Sequence, residues 1–128
     1  MQIKILDSWL REYLETEATH SDIARILSLT SVSIEKVQRL GDDFLYDIEV
    51  TTNRVDLMSV IGLAREAATS LSESGFKATF ENPSFPKIKT GNNFPIEIKN
   101  DPELVNRVCA AVLEVNVKET PREIAQRL

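Results

Sequence analysis

Phe44-Leu45-Tyr46-Asp47-Ile48-Glu49-Val50-Thr51, continuing through Thr52-Asn53-Arg54-Val55-Asp56 into Val60–Leu71, passes from a two-residue to a helical apolar period. Phe44, Tyr46, Ile48 and Val50 alternate with Leu45, Asp47, Glu49 and Thr51. That alternation predicts a strand with one core face and one mostly wet face. Beyond the Thr52–Asp56 corner the spacing changes to that of a helix. Val60, Ala64, Ala67, Ala68 and Leu71 form an apolar stripe, with Arg65, Glu66 and Glu73 mostly outside it. Gly75 is placed to close this helix in the left-handed conformation. The small residues Gly62, Ala64, Ala67 and Ala68 let it approach a neighbour closely.

Working upstream, Ser31–Leu40 reads as a second strand, with Val32, Ile34 and Val37 as its apolar residues. Leu40-Gly41-Asp42-Asp43 is a turn, so the two strands are expected to pair as a hairpin. Before it, Thr19-His20-Ser21-Asp22 offers a capping hydroxyl and an acid three residues later, a start signal for a helix that carries Ile23, Ile26 and Leu27 on one side. Ile3 and Ile5 begin a short strand. Asp7 or Ser8 is expected to cap a helix through Trp9, Leu10, Tyr13 and Leu14.

Downstream of Phe76 the texture changes, with Pro83, Pro86, Gly91, Asn92 and Asn93 punctuating a strand fragment and linker. Phe94, Ile96 and Ile98 read as a strand, and Asp101-Pro102-Glu103-Leu104 as a capped turn. Arg107–Val117 is a nearly continuous apolar run, expected to be a strand covered on both faces. Thr120-Pro121-Arg122-Glu123 opens a helix whose apolar pattern, Ile124, Ala125 and Leu128, meets no stop signal. The expectation is a piece cut just after a second domain begins, with a first module at 1–82, a linker at 83–93 and the start of another module at 94–128. The class is α+β: small helices plus a β-hairpin, followed by the first strands of a second module.

Composition narrows the function. The chain has 128 residues, 42% hydrophobic and 27% charged, which suits a packed domain. No apolar run approaches the roughly 18–20 residues that cross a bilayer, and the first residues are not a signal peptide, so a cytoplasmic place is expected. With one cysteine (Cys109) and one histidine (His20) there is no zinc set. Cys109 lies in an apolar run and is expected to be a small buried hydrophobe; His20 is expected to be exposed and silent. The net charge of −5, from 15 basic and 20 acidic residues, argues against a stand-alone nucleic-acid binder. Asp42-Asp43 lies in a turn and Asp47 with Glu49 points outward from a strand. Neither pair has a third convergent group for acid–base or metal chemistry. Four glycines make no phosphate-cradling loop. No catalytic, cofactor or metal residue is therefore assigned.

The block from Asp47 to Leu57, with Asn53, Arg54, Asp56 and Ser59, followed by Gly62-Leu63-Ala64-Arg65-Glu66, resembles a motif of phenylalanine–tRNA ligase β subunits of the bacterial type. Asp7–Leu14, Ser31–Val37 and Asp101-Pro102-Glu103-Leu104 with Arg107 resemble three further family blocks in the same order, so the likeness runs through nearly the whole chain. Two prolines of the family's motif are Thr52 and Val55 here, Arg107 is followed by Val108 and not by an aromatic residue, and only Gly41, Asp42 and Asp43 stand where the family usually inserts an oligonucleotide-fold tRNA-binding module. The resemblance implies a winged-helix-like N-terminal module of an α₂β₂ ligase that charges tRNA(Phe) with phenylalanine. It also implies that ATP and Mg²⁺ bind on the separate α subunit and that a tyrosyl-tRNA editing site lies in a following module. The partners implied are the α subunit, the rest of the β subunit and, in the full complex, tRNA(Phe).

Within the motif, Asn53, Arg54 and Asp56 could hold a phosphate or ribose. Alternatively, Asn53 and Asp56 accept backbone bonds that form the turn and cap the next segment, while Arg54 pairs with an acid. Arg65 and Glu66 could pair locally, face a partner, or be a solvated helix face. Trp9, Tyr13, Phe76, Phe80 and Phe85 leave room for a partner surface. The leading reading is a structural and assembly module without chemistry of its own. The rivals are a stand-alone winged-helix-like nucleic-acid-binding domain and a fragment retaining hydrolytic editing.

Overall fold

The computed structural model describes residues 1–87 and 96–127. Its first elements are β1 (Gln2–Leu6), a one-turn α1 (Asp7–Leu10), β2 (Leu14–Thr16), α2 (His20–Thr30), β3 (Ser33–Leu40) and β4 (Asp43–Glu49). A 3₁₀ turn (Val55–Leu57), α3 (Val60–Glu73), β5 (Ala78–Phe80) and α4 (Arg122–Ala125) follow. The architecture is α+β. The chain divides into a first unit, Met1–Phe85, and a second beginning at Pro86.

The alternating stretch becomes β4, the centre of a three-stranded antiparallel sheet ordered β1-β4-β3. Ile3 and Ile34 flank Ile48, and Ile5 and Val37 flank Tyr46, so one face is apolar across all three strands. The opposite face sets Lys4 and Lys36 beside Asp47. The hairpin from β3 to β4 forms as the turn chemistry predicts, with Gly41 at φ 63. A register shift between Ile34 and Lys36 inserts Glu35 as a bulge in β3.

Helices α2 and α3 supply the rest of the core. Thr19 Oγ1 accepts from the Asp22 N–H while the Asp22 side chain accepts from the Thr19 N–H, a complete capping box. At the far end of α3, Phe76 N–H donates to the Leu71 carbonyl and Gly75 N–H to that of Ser72, with Gly75 at φ 89. This pair of bonds satisfies carbonyls that a helix end otherwise strands. The expected stripe of Val60, Ala64, Ala67, Ala68 and Leu71 is buried, joined by Leu63 and Gly62. It meets Ile23, Ile26, Leu27, Ile48, Val50 and Leu57, all fully buried. Each such aliphatic side chain contributes about 1.5–3 kcal/mol of burial.

The first helix departs from expectation. It ends at Leu10 and Leu14 opens β2, paired with Phe80 of β5. The main cause is non-local, the pairing with β5 and the Glu81 N–H that donates to the Tyr13 carbonyl; nearer in sequence, the Arg11 guanidinium donates to the carbonyls of Thr16 and Ala18. Nor does Asp7 cap α1. Asp43, from the hairpin turn, accepts from both the N–H and the Oγ of Ser8, while Asp7 is buried between Tyr46 Oη (2.5 Å) and Arg11 Nε (2.7 Å). Burial, reinforced by the Asp7 carboxylate, pushes the Tyr46 phenol above its ordinary pKa. His20, expected to be exposed, is half-buried and stacks on Phe44 with ring centroids 3.5 Å apart.

The second unit corrects the sequence reading more strongly. Ile96 and Ile98 are not in a strand, Phe94 lies outside the described residues, and Arg107–Val117 is irregular and exposed. Cys109, expected to be buried, is exposed with it. A strand needs neighbours to take its N–H and C=O groups, and the described residues of this unit provide none. The Asp101 turn does form, with Glu103 N–H on Asp101 Oδ1. Helix α4 begins at Arg122 with Pro121 at its cap position. Leu128 lies outside the described residues.

Candidate functional site at the strand-to-helix corner

The corner is built by tight turns. Arg54 N–H donates to the Thr51 carbonyl, Leu57 N–H to that of Arg54 and Met58 N–H to that of Val55. Leu57 is thereby driven into the core while Asn53 and Val55 stay at the surface. Ser59 then caps α3, its Oγ accepting from the Gly62 N–H at 3.1 Å. Gly62 packs against the backbone of the preceding turn. A Cβ on it would lie 2.8 Å from the Asp56 carbonyl carbon and nearer still to the carbonyl oxygen. Only glycine fits there.

Arg54 is the hub. Its Nε and Nη2 donate to Asp56 Oδ1 and Oδ2 at 3.1 and 3.0 Å, while Nη2 and Nη1 donate to Glu66 Oε2 and Oε1 at 2.8 and 3.4 Å. One planar guanidinium thus engages two carboxylates, the geometry arginine is suited to and lysine is not. Arg54 holds the carboxyls of both Asp56 and Glu66 below their ordinary range, and the two acids raise the Arg54 pKa in return. The link from Arg54 to Glu66 ties the corner to the second turn of α3.

Of the residues singled out in the sequence, the structure therefore brings together Arg54, Asp56, Glu66, Ser59 and Gly62. Asn53 and Arg65 are exposed. Asp56 accepts from Arg54 and the capping role falls to Ser59; Glu66 is half-buried in the ion pair and not part of a solvated face. The trio carries one positive and two negative charges with its guanidinium donors taken up by the two carboxylates, which disfavours an anionic ligand at this point. Among the described residues no group of three His, Cys, Asp or Glu side chains could hold a metal ion, and no helix is long and apolar enough to cross a membrane. Sequence reasoning missed the buried Asp7–Tyr46–Arg11 set. Its one available signal was the i, i+4 spacing of Asp7 and Arg11.

No family model matches the sequence, and no solved structure matches it. Curated relatives do. The chain is 38% identical over 96 residues to a phenylalanine–tRNA ligase β subunit of Carboxydothermus hydrogenoformans, covering 74% of this chain and 11% of that protein. It is 38% identical over 116 residues to that of Dehalococcoides mccartyi, covering 85% of this chain and 13% of the relative. With the subunit of Rhodopirellula baltica it shares 29% identity over 124 residues, 94% of this chain and 18% of the relative. The chain thus spans between 11% and 18% of the length of these relatives. With the Asn53–Glu66 motif folded as one corner and these likenesses spread along most of its length, the chain belongs to the phenylalanine–tRNA ligase β-subunit family, as a segment of that subunit.

Proposed function

We propose that this chain is a structural and assembly part of a phenylalanine–tRNA ligase, supporting ATP-dependent charging of tRNA(Phe) while carrying no chemistry itself. In this reading the working enzyme is a cytoplasmic α₂β₂ assembly, with the α subunit and the rest of the β subunit as partners. ATP, Mg²⁺ and tRNA(Phe) are engaged elsewhere in it. The observation that carries the reading is the Arg54 guanidinium, taken up by Asp56 and Glu66. Arg54, Asp56 and Glu66 spend their polar atoms on one another and Ser59 caps α3, as in a fixed joint, while Asn53 stays exposed.

The test is made on the assembled ligase containing this chain. Glu66→Gln should reduce the yield and thermal stability of the oligomer, with kcat and the KM for tRNA unchanged per assembled enzyme. A fall in kcat, or a rise in KM for tRNA, in an oligomer that remains fully assembled would overturn the proposal. The isolated chain, incubated with tyrosyl-tRNA, should release no tyrosine above background.

A further inference from the structure

We propose that the free edge of β1, together with the apolar groove beside it, receives an extended strand of another polypeptide in which apolar residues alternate with a carboxylate. β1 pairs with β4 along one side, and among the described residues no strand pairs with its other side. At that edge a groove of about 470 Å³ runs between Ile3-Lys4-Ile5 and the start of α3, with Trp9, Met58 and Ile61 among its walls. Its lining is mainly apolar, and Lys4, exposed and without an ion pair among the described residues, is its one charged side chain.

The two edges of the sheet differ in a way that bears on this. Both edges carry lysine, but β3 also carries the Glu35 bulge, a device that blunts an edge against further pairing. β1 pairs in continuous register over all five residues, with no bulge and no proline. Addition of a strand to such an edge is an established mode of peptide recognition, with main-chain bonds giving affinity and alternate side chains giving specificity.

The chemistry of the occupant follows from β4. The side chains of β1 point above and below the sheet and are seen equally by a neighbour on either side. In the fold β1 places Ile3 against Ile48, Lys4 against Asp47 and Ile5 against Tyr46. The same order, apolar–acidic–apolar, therefore complements its outer edge. A second copy of this chain pairing antiparallel through β1 would set Lys4 against Lys4, which disfavours self-association as the use of this edge.

The probe is a synthetic octapeptide copying residues 43–50, Asp-Phe-Leu-Tyr-Asp-Ile-Glu-Val, titrated against the full chain. Trp9 is the only tryptophan and lines the groove, so its fluorescence reports occupancy directly. A saturable blue shift is expected, lost when alternate peptide amides are N-methylated. Lys4→Glu should weaken binding about three- to fivefold, as for an exposed charge pair, and a peptide with lysine for its central aspartate should recover it. Lys4→Gln, weakening without recovery, serves if the reversal disturbs folding. Absence of a saturable change, equal binding of the N-methylated peptide, or sedimentation showing a dimer that occupies the edge would each overturn the proposal.

Discussion

Gly62→Ala tests the corner most sharply, because two effects of opposite sign meet at one atom. In a helix interior alanine is favoured over glycine by roughly 0.5–1 kcal/mol, so on propensity alone the change stabilises. The new Cβ would lie 2.8 Å from the Asp56 carbonyl carbon and 3.2 Å from Ser59 Oγ, with the Asp56 oxygen closer, and Cβ atoms essentially never approach other atoms under 3.0 Å. The obstacle is backbone, which cannot rotate aside as a side chain does. The 3₁₀ turn must retreat from α3, pulling Leu57 from its fully buried site and lengthening the Arg54–Glu66 bridge. Forcing a methyl group into packed structure costs typically 1–3 kcal/mol, more where backbone must move. A net loss of about 2 kcal/mol is expected once the propensity gain is subtracted, which lowers Tm by roughly 8–16 °C for a unit of this size. Urea unfolding of the full chain, followed by circular dichroism, should show a lower midpoint at unchanged slope. Ala64→Gly is the control and should lose the propensity term plus the small burial of one methyl. If Gly62→Ala matches or exceeds the parent in stability, the close approach of α3 to the turn is wrong.

Three further outcomes are expected. Glu66 has its carboxyl pKa lowered by Arg54, so its contribution to stability is present above the unfolded carboxyl value of about 4.3 and is lost as pH falls through the folded value; acid titration of the urea midpoint should show a drop that Arg54→Met diminishes. Tyr46 has its phenol pKa raised by burial and then by Asp7, so stability should decline as pH rises above the ordinary phenol value of about 10, where only the unfolded chain ionises freely. Tyr46→Phe removes that decline, leaves Asp7 without its hydroxyl donor and costs about 1–3 kcal/mol, whereas an unchanged midpoint would deny the buried bond. Leu113→Ser, at a side chain 72% exposed, should move the midpoint of the full chain by less than about 0.5 kcal/mol; a larger fall would mean that Arg107–Val117 is packed.

The parts of the fold legible in the sequence are those whose signal is local. β4 announces itself by alternation, α3 by its stripe and Gly75, and α2 by Thr19 and Asp22, because each pattern is completed within a few residues of the chain. The helix expected through Leu14 fails for the opposite reason. Its apolar spacing is helical, but the deciding bonds come from β5 and from Glu81, far along the chain. The corner was legible as a cluster and illegible as a geometry. That Arg54 needs an acid follows from its chemistry, but which acid depends on how α3 leaves the turn, and Glu66 stands twelve residues away.

The same contrast separates the two units. In the first, the apolar stripes of β4, α2 and α3 cover one another, and Thr19, Asp22, Ser59, Arg54 and Glu66 are used in caps and bridges. The second contains the most continuous apolar run in the chain, yet Val112, Leu113, Val115 and Val117 lie exposed. Side chains of that kind gain about 25 cal/mol for each Å² removed from water, and a strand built from them gains its backbone bonds only beside another strand. Neither requirement is met by the described residues of this unit. The apolar pattern of Arg107–Val117 therefore supplies side chains to bury without by itself making a strand, because the neighbours that would complete one are not among the described residues of this unit.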